Sequence, residues 1–522
     1  MTPRRQTAFL VLSLSFLLGA ATVLTCGFRL QPLGWGIAAA LSGVMAVALS
    51  SRGRAASFCV CLFAFAGGAF AASLQKSVAA GAPPAEYVSY DAVVTGTPQR
   101  HGKIVALDAL VVDVKGVRTS PFLMKVNISG LDTCTLRIGD GICGLSVLAA
   151  PGSGNRRGLA QDRRFSYSRY LRCQGFRAQT LVHASDISRK TVPLRSLSLW
   201  QRLRIKLLDL RWRLRSRFAE GGMAGDNLAV ASALALGDKS MITPELRSAY
   251  SVSGASHVLA LSGLHISIIY SLLLLLVDGR RVLRLRLAAR LLAIVTVWWY
   301  VMLVGLPVSA VRSALMLSVC SVVSAANRGR LTVGHLSFAA FVVVALSPFS
   351  LFDVGFQMSF LAVASILLFV PQLERLLFAA SFWRRGALRW VSGMVSVSLA
   401  AQIGVAPLSA YYFGRFSNCF LLANFVAVPV AMLILYGALA VFLLAWIPPL
   451  QRLAVSGLDL AVQFLNDALH LISSLPMASV EGIRMNLWHL AAAYALLAVV
   501  CCVMRMSGRY HVIRPFAMGN EP

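Results

Sequence analysis

Long apolar runs and short alternating runs divide this chain into two kinds of territory. A helix needs about 20 apolar residues to cross a bilayer. Candidate runs lie at 7–27, 33–50 and 57–74, and again at 256–277, 287–306, 308–326, 332–348, 354–371, 391–410, 417–445, 455–475 and 487–504. The pattern predicts a polytopic α-helical membrane protein of about 11–12 spans. The 417–445 run is long enough to tilt or break. The 455–475 run holds Asp459, Asp467 and His470 and reads as a span or as an interfacial helix.

Between 83 and 190 the pattern changes. Runs at 91–95, 103–108, 110–115, 122–127 and 144–148 alternate or are β-branched, with Gly, Pro and charged residues between them. That is the period and punctuation of strands. About five short strands predict an inserted small β-barrel, of which an OB-like fold is one option. Farther on, Leu203, Leu207, Leu210 and Leu214 recur at spacings of three and four among seven basic residues. This is an amphipathic basic helix, expected at the membrane surface. The chain thus divides into an N-terminal membrane region with three spans (1–82), a β domain (83–190), a basic linker (191–255), a second membrane region (256–505) and a short tail (506–522).

Composition agrees. Hydrophobic residues make up 57% and charged residues 13% of the chain. Soluble domains carry about a quarter charged residues, so an ordinary soluble enzyme is excluded. There are 49 Lys+Arg against 20 Asp+Glu, a formal charge of +29. Arg4, Arg5, Arg52, Arg54, Arg280, Arg281, Arg328, Arg330, Arg384, Arg385, Arg389, Arg505 and Arg509 all fall on one side if the spans alternate. Basic loops mark the cytoplasm. Both termini are therefore expected inside and the β domain outside the cytoplasmic (inner) membrane. The β domain is itself basic, and a basic external surface suits a polyanion.

Enzyme signatures are sparse. There is no phosphate-binding loop for ATP, no H-E-x-x-H, no G-x-S-x-G and no C-x-x-C zinc pair. No metal or cofactor is expected. One constellation stands out, at 254–265: Ser256, His257, Ser262, Gly263 and His265 enter an otherwise apolar run. Polar groups at membrane depth usually face a protein interior or a water-filled path. Two His eight residues apart lie about 12 Å apart along an unbroken helix; Gly263 permits a break or close packing. Arg312, Asp353, Gln357, Gln402 and Asn424 are further polar residues in apolar surroundings. Arg312 either snorkels or lines a path for an anion; the amides either bond between helices or face the same path.

Several segments resemble the ComEC family of competence DNA-uptake channels. They are Phe165-Ser-Tyr-Ser-Arg-Tyr-Leu-Arg-Cys-Gln-Gly175, Ala233-Leu-Ala-Leu-Gly-Asp-Lys-Ser240, Ser256-His-Val-Leu-Ala-Leu-Ser-Gly-Leu-His265, Val311-Arg-Ser-Ala-Leu-Met316, Phe352-Asp-Val-Gly-Phe-Gln-Met-Ser-Phe-Leu361, and Gln402 with Leu422-Ala-Asn-Phe-Val-Ala-Val-Pro429. Their order and spacing carry the resemblance. It implies a channel that admits one strand of external DNA to the cytoplasm, and an OB-like external domain. A small-solute or lipid transporter and a membrane-embedded hydrolase using Ser262 are the alternatives. The metal-binding H-x-H-x-D-H motif of the nuclease-like domain found in many members is absent here; either a separate nuclease degrades the other strand or the gene is a shortened form.

The residues expected to serve such a channel fall in two groups. Arg156, Arg157, Arg163, Arg164, Arg169 and Arg172, interleaved with Phe165, Tyr167 and Tyr170, would bind DNA by charge and stacking. Asp238, His257, Ser262, Gly263, His265, Arg312, Gln357, Gln402 and Asn424 are the candidates for a polar path. Expected partners are single-stranded DNA, membrane lipid, a periplasmic DNA receptor, a cytoplasmic motor and strand-binding proteins.

Overall fold

The computed structural model describes residues 3–25, 31–51, 53–80, 87–130, 136–151, 167–190, 192, 197–275, 283–326, 333–378 and 386–510. Three helices open the chain: α1 (Pro3–Thr25), α2 (Pro32–Ala48) and α3 (Gly53–Ala80). A mixed sheet follows, built from β1 (Tyr87–Val94), β2 (Gln99–His101), β3 (Ile104–Val114), β4 (Val117–Ser129), β5 (Gly141–Val147), β6 (Phe176–His183) and β7 (Ile187–Arg189), with α4 (Tyr167–Cys173) before β6. The remaining helices are α5 (Leu199–Glu220), α6 (Gly225–Leu236), α7 (Pro244–Val252), α8 (Ser256–Leu259), α9 (Gly263–Leu275), α10 (Leu283–Leu303), α11 (Val308–Ala326), α12 (Val333–Leu346), α13 (Val354–Leu377), α14 (Gly386–Phe413), α15 (Phe420–Leu443), α16 (Pro448–Ser473) and α17 (Leu487–Tyr510). A two-stranded ribbon, β8 (Arg415–Ser417) and β9 (Ser479–Glu481), joins the segments flanking α15 and α16.

Among the described residues four helical stretches are both long and apolar enough to cross a membrane: Ala55–Lys76, Val354–Leu377, Leu388–Phe413 and Phe420–Trp446. Shorter apolar helices include Leu10–Thr25, Pro32–Ala48, Gly263–Leu275, Ala288–Leu303, Val308–Val319, Val333–Leu346 and Leu487–Val503. The 256–277 run is not one helix, because the backbone breaks between α8 and α9. Most of the 417–445 run is a single helix, Phe420–Leu443, despite Pro429. The 455–475 run lies within α16, whose buried face carries Val455, Leu458, Val462, Leu465, Leu469 and Ile472.

The expected barrel is corrected to an open sheet. Strand order is β6-β4-β3-β1-β5-β7, with β2 beside β3. β4 and β6 run parallel and the other pairs antiparallel. Past the end of β5, Ala149 meets Gln179 of β6 at one isolated antiparallel bridge, and Ser146 Oγ lies 2.6 Å from Thr180 Oγ1. One bridge does not close a barrel, because β7 takes up the free edge of β5. The runs at 103–108 and 110–115 are one strand, β3. Both faces of the sheet are apolar: Val88, Leu107, Met124, Val126 and Ile142 fill one side, and Val93, Leu110, Val112 and Ile205 of α5 meet on the other.

α5 is bonded at several points along its length. Ser198 and Gln201 form a capping box at its start. Ile205 packs against the sheet, Arg211 Nη1 donates to the Val304 carbonyl at 2.7 Å, and Arg215 pairs with Asp238 at 2.9 Å. The largest apolar cluster joins α6, α7, α15 and α16. A polar chain runs through it: Tyr250 OH donates to Asn466 Oδ1 at 2.8 Å, Asn466 Nδ2 to Asn227 Oδ1 at 3.0 Å, and Asn227 Nδ2 to Asp459 Oδ1 at 3.0 Å. Asn227→Leu removes a donor and an acceptor from the middle of that chain. It is expected to destabilise the protein by about 1–3 kcal/mol, read as a lower unfolding temperature in detergent. Asn227→Asp should cost at least as much, because it replaces the donor to Asp459 with a second carboxylate.

Candidate functional site

The site begins where the apolar run at 256–277 breaks. Ala260 leaves helical geometry for an extended conformation (φ −88, ψ 131), and α9 starts afresh at Gly263. Ser262 and His265 hold that new start. His265 Nδ1 lies 3.0 Å from Ser262 Oγ and accepts the Ser262 backbone N–H at 3.3 Å. A side chain three residues into a helix reaching back to the preceding N–H is one half of a capping box, here made by imidazole. Since Nδ1 accepts, the proton of a neutral ring sits on Nε2. His265 is fully buried, and its Nε2 has no partner among the described residues.

The break lies against α11. A Cβ on Gly263 would come 3.1 Å from Ser313 Oγ. The neighbouring Arg312 is 4% exposed and forms an ion pair with Asp353. Asp353 also caps α13, accepting the Phe356 N–H at 3.0 Å, so its carboxylate is fixed by both the helix start and the guanidinium. A Cβ on Gly355 would come within 2.9 Å of Arg312 Nη2; glycine leaves the room Arg312 occupies. One turn on, Gln357 Nε2 donates to the Leu351 carbonyl at 2.8 Å, and Gln357 Oε1 accepts from Tyr412 OH at 3.0 Å. Three polar pairs, Ser262–His265, Arg312–Asp353 and Gln357–Tyr412, thus occur in succession across α9, α11, α13 and α14. A buried ion pair is weak evidence for stability, because desolvation offsets much of the attraction; at membrane depth such a pair marks a functional path by default.

α4 lies over the end of this succession. Cys173 Sγ donates to the Phe349 carbonyl at 3.3 Å, and the Phe349 N–H donates to Gln75 Oε1 at 3.2 Å. The turn before α13 is thereby tied to both α3 and α4. The Tyr167 and Tyr170 rings stack with centroids 6.2 Å apart, each 40% exposed. Partial burial pushes the Tyr170 phenol up, and the Asp353 carboxylate adds to that shift.

The structure pairs Ser262 with His265, sets Gly263 against Ser313 beside Arg312, and places Gln357 one turn beyond Arg312's partner Asp353. It does not join Asp238, which pairs with Arg215 and accepts the Ser240 N–H at 3.1 Å. His257 is exposed on α8 and Gln402 half-buried on α14. Asn424 donates to Ser398 Oγ at 3.3 Å, and its buried Oδ1 has no partner among the described residues. Arg312 does not snorkel; it is buried and paired. Tyr167, Arg169, Tyr170 and Arg172 lie on α4, whereas Arg156, Arg157, Arg163, Arg164 and Phe165 lie outside the described residues. Sequence reasoning left Asp353 without a role and missed Ser313 and Tyr412. Asp353 carried a signal, since an Asp directly before an apolar helical run is an N-cap. Among the described residues no group of three His, Cys, Asp or Glu could hold a metal ion.

Long apolar helices and the polar pairs among them define a helical membrane protein carrying a mixed β sheet. The Competence protein family model matches residues 234–507, more than half of the chain, and the chain belongs to that family. It is similar to ComE operon protein 3 of Bacillus subtilis, 28% identical over 306 residues, which is 58% of this chain and 37% of that protein. It is also similar to Competence protein ComA of Neisseria gonorrhoeae, 31% identical over 156 residues, 28% of this chain and 22% of that protein. The matched regions span well under half the length of these relatives. No solved structure matches the chain significantly.

Proposed function

We propose that this protein is a channel in the cytoplasmic membrane that admits one strand of external DNA during natural transformation. The observation that carries the reading is the succession of polar pairs from Ser262 to Tyr412, with the buried Arg312–Asp353 pair at its centre and the Tyr167–Tyr170 stack above it. Stacked aromatics and arginines are the usual instruments for holding a single strand without sequence preference. Arg312 offers phosphate a cation where the surroundings are otherwise apolar. Passage would exchange the Asp353 carboxylate for strand phosphates as the partner of that guanidinium.

The contacts support placing several segments on a common side, which the basic loops make the external one. If the spans alternate, the β domain, the turn at 348–352, the segment before α8 and the β8–β9 ribbon lie on the same, external side. Their observed contacts agree: α4 meets the turn at Phe349, and Arg415 of β8 donates to Ser251 at 3.2 Å. The drive is assigned to a cytoplasmic motor or to proteins that trap the entering strand, delivery to a periplasmic DNA receptor, and removal of the second strand to a separate nuclease.

The test is uptake of labelled duplex DNA, scored as nuclease-protected cytoplasmic DNA, in a deletion strain and in the same strain complemented. Deletion should leave DNA outside, and complementation should restore entry. Normal uptake without the protein would remove the reading. Electroporated plasmid should establish equally in both strains.

A further inference from the structure

We propose that the pocket between the sheet and α5 binds one nucleotide unit of the strand, its phosphate held between Arg177 and Arg204 and its base against Phe122, Leu123 and Ile205. This deepens the DNA reading and rests on it. The pocket has a volume of about 270 Å³. That lies just below the usual range of small-ligand pockets and suits one nucleotide, not a length of strand. It is distinct from the polar pairs around Arg312 and from α4.

Three observations carry the assignment. The first is how Arg177 arrives there. The β4–β6 register passes from Leu123↔Phe176 directly to Met124↔Ala178, so Arg177 is the extra residue of a bulge. A bulge re-aims a side chain that regular pairing would place elsewhere, and here the re-aimed residue lines the pocket. The second is Arg204. Its Nε is buried with no hydrogen-bond partner among the described residues, and burial pushes its guanidinium below the usual Arg range. Asp108 is the carboxylate acting on it, but Asp108 is bonded to Lys125 at 2.7 Å. A half-buried guanidinium with an unsatisfied Nε–H favours an arriving anion. The third is the lining. Arg177 and Arg204 are joined by Thr95 and Gln201, which can hydrogen-bond, and by an apolar and aromatic wall; among the described residues no Asp or Glu lines the pocket. Two cations, neutral donors and an apolar wall are what a phosphate attached to a base requires.

The test uses the full chain in neutral-detergent micelles and a fluorescent twelve-residue oligothymidylate, read by anisotropy across a salt series. Arg177→Gln is expected to weaken binding about tenfold, and to reduce the slope of log K against log salt by about 0.7, the share of one phosphate on a single strand. Arg204→Gln should do the same. Arg189→Gln, an exposed arginine outside the pocket, should weaken binding less than either. An oligonucleotide carrying 4-thiothymidine should photo-crosslink to the peptide containing Phe122 and Leu123 in the wild-type protein. Wild-type binding with no crosslink there, or binding unchanged in both variants, overturns the pocket and leaves the DNA reading standing. No wild-type binding at low salt removes the DNA reading itself. Loss of the crosslink on adding phosphatidylglycerol at a level that leaves overall binding intact would show a lipid-headgroup site and also overturn the proposal.

Discussion

Asp353→Ala should prevent the protein from accumulating in folded form, while replacing both Arg312 and Asp353 should not. Arg312 is 4% exposed and lies on α11 among apolar helices, with Asp353 as its carboxylate. Removing that partner strands a charge out of water. Breaking one half of a buried pair typically costs about 3–5 kcal/mol, a large fraction of the 5–15 kcal/mol that holds a typical domain together. Asp353→Ala also removes the cap on the Phe356 N–H, worth about 1 kcal/mol more. The double replacement Arg312→Met with Asp353→Asn takes away the charge and keeps a capping oxygen, so its unfolding temperature in detergent should lie close to wild type. Uptake separates the roles: the double variant should be folded, present in the membrane and inactive. A folded double variant that takes up DNA normally would show that the pair serves packing alone.

Gly68→Leu should disrupt the N-terminal membrane region to a comparable degree. α1 and α3 cross through backbone contact. A Cβ on Gly68 would collide with the Phe16 carbonyl and the Ala20 nitrogen, and a Cβ on Gly19 with the Phe65 carbonyl. The clashing atoms are main chain and cannot rotate away, so the helices must separate and lose the packing of Phe16, Ala20, Ala69 and Ala72 against α12. Between helices in lipid, close packing of small residues is the main attraction. Overpacking costs about 1–3 kcal/mol where side chains can yield, and more is expected here. The readout is the yield of monodisperse protein after solubilisation. Gly393→Leu on α14, where nothing among the described residues lies within 4 Å of an added Cβ, is the matched control and should behave as wild type.

Hydropathy made the helices legible because a run of 20 apolar residues has few other uses in a chain. It could not show the break at 260–262, because Ala260 and Leu261 are as apolar as their neighbours; only Gly263 hinted at it. In the sheet, β6 is hard to read from sequence: Ala178, Thr180 and Val182 point inward at alternate positions, but a polar Thr180 inside and an exposed Leu181 outside blur the hydropathy alternation that marks a strand. The merger of 103–108 with 110–115 into β3 was hidden because Ala109 continues the strand without a turn residue. The members of the polar pairs were each visible as costly residues in apolar surroundings. Their pairing was not, since Arg312 and Asp353 lie 41 positions apart, and tertiary packing alone decides which buried charges meet. The pocket was illegible for a similar reason: a bulge is a mismatch between two strands and leaves no mark on either one.

α5 carries a mechanical implication. It is held at one end to the sheet through Ile205, and near its middle to the end of α10 through Arg211 and the Val304 carbonyl. Directly after that carbonyl come Gly305 at φ 99 and Leu306 at φ 58, the latter a backbone region that side chains other than glycine seldom enter. A load applied to the sheet, such as tension from a strand being drawn through, would be delivered as a lever delivers torque, to the one tight corner joining α10 to α11. Arg312 lies six residues beyond that corner.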